Sequence, residues 1–246
     1  EMVYSPMDIL SLAEKEKDTT FIFAAVGFET TTPVYAMLLQ ELERLDIRNV
    51  KLLTAIKTMP EVIHYLMASG APIDAFLAPG HVSVITGTKI YEPIAEEFQI
   101  PFSVAGFGGQ ELLAAICGIV QSRGKGRVLN FYPSVVREEG NPKARALIDK
   151  YFEVCDGAWR GIGQVAGSGK ILRKEYERFD AGSRGLDADH KANPACSCDR
   201  VLVGKMRPYE CPLYGKVCTP LSPQGACMVS TEGSCFSYFS NHRHDK

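Results

Sequence analysis

Apolar residues along the first 180 positions follow two alternating rhythms. Phe21–Val26 (FIFAAV) is a short continuous apolar run ended by Gly27, the pattern of a strand buried in a parallel sheet. Thr31-Thr32-Pro33 then supplies a cap and a favoured first-turn proline. Val34, Leu38, Leu42 and Leu45 follow at helical spacing, with Glu41, Glu43 and Arg44 between them. The alternation repeats. Residues 50–56 read as a strand. Thr58 with Glu61 forms a candidate capping box for a helix that carries Val62, Leu66 and Met67 and closes at Gly70. Further strands are predicted over 74–78, 102–106 and 127–132. Helices are predicted around 89–98, over the strongly apolar 110–120, and over the amphipathic 142–155.

Strands alternating with helices of about 10–15 residues predict parallel sheets built from βαβ units. The composition shifts after about Asp180. Residues 181–200, rich in Gly, Ala, Asp and Asn, read as a linker. The tail beyond is dense in Cys, Pro and Gly, with little helical periodicity.

Composition adds exclusions. Of 246 residues, 46% are hydrophobic and 23% charged, an ordinary globular balance, and the net charge of −2 gives no reason to expect nucleic acid or an anionic membrane as partner. No apolar run approaches the roughly 18–20 residues of a membrane span. Residues 1–10 lack the basic start and long apolar stretch of a secretory signal, so a cytoplasmic location is expected. The chain opens on Glu1, only 20 residues before a core strand, so missing N-terminal sequence is expected.

Six of the eight cysteines fall between Cys196 and Cys235. A short, loop-rich segment buries little apolar surface and needs a staple, which inside cells is commonly a metal. Thiolates suit zinc or iron–sulfur. Structural zinc sites usually pair their ligands at short C-x2–4-C spacing, and this tail has no C-x2-C pair. Wide single-ligand gaps fit a 4Fe–4S cubane better than one zinc ion. A zinc-stabilised interaction module without a redox role and a disulfide framework are the alternatives.

Other features carry weaker signals. Glu29, Thr30 and Thr31 lie between a strand and a helix, where parallel sheets open toward ligands, although a capped turn explains them equally well. Pro79-Gly80-His81-Val82-Ser83 also follows a strand, which makes His81 a candidate proton shuttle or metal ligand. Gly161-Ile-Gly163 and Gly167-Ser-Gly169-Lys170 fail as a phosphate loop, because Gln164 and Ile171 occupy key positions, and read as turns. No G-x-G-x-x-G follows the first strand, which counts against a nucleotide-binding enzyme. Cys117 is expected in the core, Cys155 at a helix end, and His242 and His244 in solvent.

In order along the chain stand Ala25-Val26-Gly27-Phe28-Glu29-Thr30-Thr31, Pro79-Gly80-His81-Val82-Ser83, Cys211-Pro-Leu-Tyr-Gly215, Cys218-Thr219-Pro220 and Gly225-Ala-Cys-Met-Val-Ser230. This combination resembles the HypD family of nickel–iron hydrogenase maturation factors over nearly the whole chain. The resemblance implies two α/β domains, over 1–90 and 91–185, and a cysteine-rich tail over 186–246. The spacing C-x14-C-x6-C-x16-C is similar to the family's 4Fe–4S signature, which assigns Cys196, Cys211, Cys218 and Cys235 as ligands and leaves Cys198 and Cys227 aside. It also implies a redox-active maturation scaffold rather than a turnover enzyme, in assembly of the Fe(CN)2CO centre. The implied partners are a small chaperone of HypC type and a cyanide donor of HypE type. Glu29, Thr30, His81 and Ser83 carry over as crevice residues.

Two departures accompany the resemblance. The family's N-terminal cysteine motifs, which hold the iron ion under assembly, have no counterpart in these residues, so that iron site is expected to be incomplete. A Gly-Phe-Glu-Pro motif of the family reads Gly106-Phe107-Gly108-Gly109 here, without its carboxylate.

Overall fold

A computed structural model describes residues 2–159, 161–186 and 193–241. By internal contacts these fall into two units. The first comprises Glu1–Ile63, Asp74–Gly157 and Ala166–Leu186, and the second His64–Ile73, Ala158–Val165 and Asp187–Lys246. His242 and His244 lie outside the described residues.

The first unit is α/β, as the alternating rhythms predict. In chain order it runs α1 (Asp8–Lys15), β1 (Phe21–Gly27), α2 (Thr32–Arg44), β2 (Val50–Lys57), α3 (Met59–Ala68), β3 (Phe76–Pro79), α4 (Gly80–Thr86), α5 (Glu92–Phe98), β4 (Phe102–Ala105), α6 (Gly109–Gln121), β5 (Val128–Asn130), α7 (Pro142–Tyr151), β6 (Phe152–Trp159) and β7 (Gly163–Leu172). The ends of α3, β6 and β7 belong to the second unit.

The strands form two sheets, ordered β1-β2-β7-β6 and β3-β4-β5. β1 and β2 are parallel, with Phe21 opposite Val50 and Ala25 opposite Thr54. β7 joins β2 antiparallel, with Lys57 opposite Gly169. The second sheet is all parallel. A boundary at residue 90 therefore runs through the second sheet, between β3 and β4, and the first sheet draws strands from both sides of that boundary.

The main core lies between the first sheet and the helices α1, α2 and α7. Leu38, Leu39 and Leu42 of α2 and Val50 and Leu52 of β2 are fully buried there. The opposite face of β1 is open: Ile22 is 63% and Val26 56% exposed, so this strand is not buried on both faces as its continuous apolar run predicts.

Three further predictions need correction. The helix that starts at Pro142 stops at Tyr151, and Cys155 sits inside β6 rather than at a helix end. The stretch read as turns around Gly161–Lys170 is largely the strand β7. Two glycines serve the close approach of β6 and β7: a Cβ on Gly157 of β6 would stand 2.5 Å from Ser168 Oγ and 2.9 Å from the Ser168 carbonyl, and one on Gly169 of β7 would stand 2.9 Å from Cys155 Sγ. Cys117 is exposed, because α6 turns Ala115 and Gly118 toward its sheet and leaves Leu113, Ile116 and Val120 outward.

In the second unit the cysteine-rich tail carries three short helices, α8 (Cys198–Leu202), α9 (Ala226–Val229) and α10 (Ser234–Asn241). Among the described residues no helix is long and apolar enough to cross a membrane.

Candidate functional site

The turn after β1 is fixed by its own hydroxyls. The Thr31 and Thr32 hydroxyls both donate to the Phe28 carbonyl, at 3.0 and 2.9 Å, and the Phe28 N–H donates to Thr31 Oγ1 at 3.1 Å. Thr31 holds the cap position of α2, but its side chain serves this turn rather than the helix end. Gly27 enters the turn at φ 140°, where a Cβ would meet Thr31 Oγ1 at 2.1 Å, so only glycine fits.

This turn sends Glu29 inward. Its Oε1 accepts the backbone N–H of Met59, the first residue of α3, at 2.7 Å. Its Oε2 is buried without a hydrogen-bond partner. Burial raises the Glu29 pKa above the usual carboxylate range and outweighs the Met59 bond. Glu61 nearby reinforces the rise and Lys170 opposes it. Glu29 lines a cavity of about 410 Å³ together with Thr58, Glu61, Lys89, Arg145 and Lys170. Here Thr58 Oγ1 donates to Glu61 Oε2 at 3.0 Å, and Lys89 is paired with Glu139. Carboxylates and cations thus meet at the C-terminal ends of β1 and β2, where open parallel sheets hold ligands.

The other crevice candidates stand apart from this cavity. Thr30 is exposed. His81, exposed in the first turn of α4, lies edge-on to Phe107 with centroids 5.0 Å apart. Ser83 is fully buried; its hydroxyl donates to the Pro79 carbonyl at 3.1 Å and lies 3.4 Å from the Tyr91 hydroxyl. Gly106-Phe107-Gly108-Gly109 itself has no carboxylate, but that of Glu111 lies beside it. Glu111 Oε2 stands 2.5 Å from where a Gly106 Cβ would be and 3.3 Å from that of Gly108. A side chain three residues along thus covers the turn. Of the cavity residues absent from the sequence-based candidates, Lys89 precedes α5, Arg145 lies in α7 and Lys170 comes from the stretch read as turns. No pattern in the sequence marks Lys170, because it is placed by the pairing of β7 with β2.

The second unit collects the six clustered cysteines. Cys198, Cys218, Cys227 and Cys235 form its buried core with Val201 and Met228, and Cys196 packs against them. Cys211 is buried in the same unit. Each is placed by a local device. Cys198 starts α8, Cys227 lies in α9 and Cys235 in α10. Cys211 and Cys218 bracket a tight loop in which the Tyr214 N–H donates to the Cys211 carbonyl at 3.0 Å and the Gly215 N–H to that of Cys218, also at 3.0 Å.

None of the eight cysteines is in a disulfide. Cys198 Sγ donates to Cys227 Sγ at 3.1 Å, and Cys227 Sγ to Cys235 Sγ at 3.1 Å. The bond to Cys227, with burial, raises the Cys198 pKa. The bond from Cys198 lowers that of Cys227, but its bond to Cys235 and burial push it up to about 12. Cys198 and Cys227, which the resemblance sets aside as ligands, stand at the centre of this group. Among the described residues no three His, Cys, Asp or Glu side chains are arranged to hold a single metal ion. Thiolates on a four-iron cluster each bind a different iron and need not converge on one point. A buried set of soft thiols without competing carboxylates in its core fits such a group in donor chemistry.

Comparison with known proteins agrees with the motifs. The HypD family profile, described as a hydrogenase formation hypA family, matches residues 1–242. The chain is 39% identical over 246 residues to a putative hydrogenase expression/formation protein of Methanocaldococcus jannaschii, covering 98% of this chain and 69% of that protein. It is 39% identical to hydrogenase maturation factor HypD1 of Bradyrhizobium diazoefficiens, over 98% of this chain and 67% of the relative. It is also 39% identical to hydrogenase maturation factor HypD of Escherichia coli, over 97% of this chain and 65% of the relative. The chain therefore spans about two thirds of the length of these relatives.

Proposed function

This chain belongs to the HypD hydrogenase-formation family, and on that premise we propose that it serves in hydrogenase maturation as a redox-active scaffold whose second unit holds a 4Fe–4S cluster. One observation carries the reading. Six cysteines spread over 40 residues fall in one unit, where Cys198, Cys218, Cys227 and Cys235 are buried together with half-buried Cys196 against them, while Cys117 and Cys155 lie in the first unit. Cys196, Cys211, Cys218 and Cys235 are the proposed ligands, with Cys198 and Cys227 beside them as thiols. A bound cluster supplies single electrons at a potential set by its ligands, hydrogen bonds and exposure.

The chain's own residues do the rest. Met228, fully buried, and Val201 keep water from the thiols. The loop from Cys211 to Cys218 fixes two ligands by backbone bonds. In the first unit, the Glu29 cavity offers a desolvated carboxyl and the Lys170 ammonium to a bound group or a partner's side chain. The iron centre under assembly, Fe(CN)2CO, is cargo in this scheme. A small chaperone of HypC type and a cyanide donor of HypE type are the proposed partners, and the cytoplasm the proposed location.

Anaerobic reconstitution with iron and sulfide tests the reading. About four irons and four sulfides per chain, with charge-transfer absorption in the visible, are expected. Zinc in the anaerobically purified chain, with no uptake of iron and sulfide, refutes it in favour of a zinc-stabilised module.

A further inference from the structure

An N–H directed at a ligand sulfur stabilises the more negative, reduced state of a metal centre, so backbone donors around thiolates tune its potential as well as their positions. In the second unit one short segment provides such donors. The backbone N–H of Gln224 points at Cys218 Sγ at 3.4 Å, and that of Cys227 at Cys198 Sγ at 3.3 Å. Between them, Gly225 approaches two thiols closely. A Cβ there would stand 2.5 Å from Cys196 Sγ and 3.0 Å from Cys198 Cβ.

Gly225 has extended backbone, φ −143° and ψ 163°, which any residue adopts. Space, not conformation, is therefore what glycine provides. The segment is also tied to the start of the cysteine cluster. Asn193 Nδ2 donates to Gln224 Oε1 at 3.0 Å, and the Asn193 carbonyl accepts the N–H of Cys196 at 2.9 Å. One asparagine thus links the position of Cys196 to that of the segment lying over it.

We propose that Gln224–Cys227 is a positioning strap for the cluster. The Gln224 N–H orients Cys218 and raises the reduction potential, and the bare Cα of Gly225 leaves the room in which Cys196 reaches the metal. The strap rests on the reading above that Cys196 and Cys218 are ligands. It adds two positions that carry no ligating atom of their own yet decide how the ligands are held.

The test uses the full chain, reconstituted anaerobically with iron and sulfide. Gly225→Ala is expected to lose most of its bound iron and sulfide and to show an altered EPR spectrum and a shifted midpoint potential in what remains. Gly185→Ala, where a new methyl meets nothing within 4 Å, is expected to match wild type in all three. Gln224→Pro deletes the donor and is expected to lower the midpoint potential. Should these variants fail to fold, the wild-type chain decides alone. With backbone 15N-labelled glutamine, pulsed EPR of the reduced cluster is expected to show a 15N coupling from Gln224. Full loading of Gly225→Ala with unchanged spectrum and potential overturns the strap, as does a loaded wild type without that coupling. A wild-type chain that takes up no iron or sulfide overturns the cluster reading itself.

Discussion

Replacing Glu29 by Gln isolates the ionisation of a buried carboxyl from its packing. The amide retains an oxygen for the Met59 N–H, so the 2.7 Å bond at the start of α3 survives and only the titration is lost. Burial raises the Glu29 pKa above its ordinary 4.5. With rising pH the unfolded chain therefore releases this proton first, while the folded chain retains it. Where the two differ, unfolding releases a proton, and stability falls as pH rises. The contribution is complete below the unfolded value and is lost as pH passes through the raised folded value. Each unit of the rise is worth about 1.4 kcal/mol.

Urea unfolding of wild type and Glu29→Gln, followed by far-UV circular dichroism from pH 4 to 8, reads the effect directly. The wild type is expected to lose stability relative to the variant with increasing pH. Lys170→Met, which removes the opposing cation, steepens that loss. Glu29→Ala instead leaves the Met59 N–H without its acceptor and costs about 1–3 kcal/mol across the range. Parallel stability curves for wild type and Glu29→Gln would refute the assignment of Glu29 as a desolvated, proton-retaining group.

Other expectations follow from packing. Leu52→Ala empties a fully buried position in β2 and is expected to cost about 2–5 kcal/mol by urea unfolding. Gly157→Ala forces a methyl against the Ser168 backbone and is expected to cost about 1–3 kcal/mol; an unchanged midpoint would contradict the close approach of β6 and β7. Tyr35→Phe removes the 2.7 Å hydroxyl bond to the Val26 carbonyl and is expected to cost about 0.5–1.5 kcal/mol. Native-state alkylation is expected to modify exposed Cys117 first, with the buried Cys198, Cys218, Cys227 and Cys235 following only in denaturant. Mass spectrometry of the early adducts checks this order.

Periodicity reported most of the first unit because amphipathic helices and apolar strands carry their burial in their spacing. α2, with its run of leucines, and β2, with alternate positions buried, were both legible on that basis. β6 and β7 were not. The start of β6 reads as a continuation of the helix before it, and the small residues of β7, Ser168 and Gly169, signal turns in isolation, the need for them arising only when two backbones meet. Cys117 was misplaced for a related reason. A helix apolar on every side does not reveal which side its sheet covers.

The candidate site divides in the same manner. That the tail cysteines belong together could be read from their density. That Glu29 faces inward while Thr30 faces out depends on hydroxyl bonds within one turn, which spacing does not encode. Lys170 reaches the cavity only because β7 pairs with β2 across more than 100 residues.

That pairing orders events during synthesis. β1 and β2 emerge from the ribosome together, but their next neighbour, β7, follows more than 100 residues later, roughly 5–20 s at ordinary elongation rates. Closing a loop of that length also costs about 4 kcal/mol in chain entropy beyond the constant term. The second sheet, from Phe76 to Asn130, is complete well before then. A nascent chain stalled short of β7 therefore carries one finished sheet and one two-stranded ribbon with unpaired edges and exposed Ile22 and Val26. Through that interval the growing polypeptide offers chaperones and neighbouring nascent chains an open strand edge, which the arrival of Gly169 opposite Lys57 removes from β2.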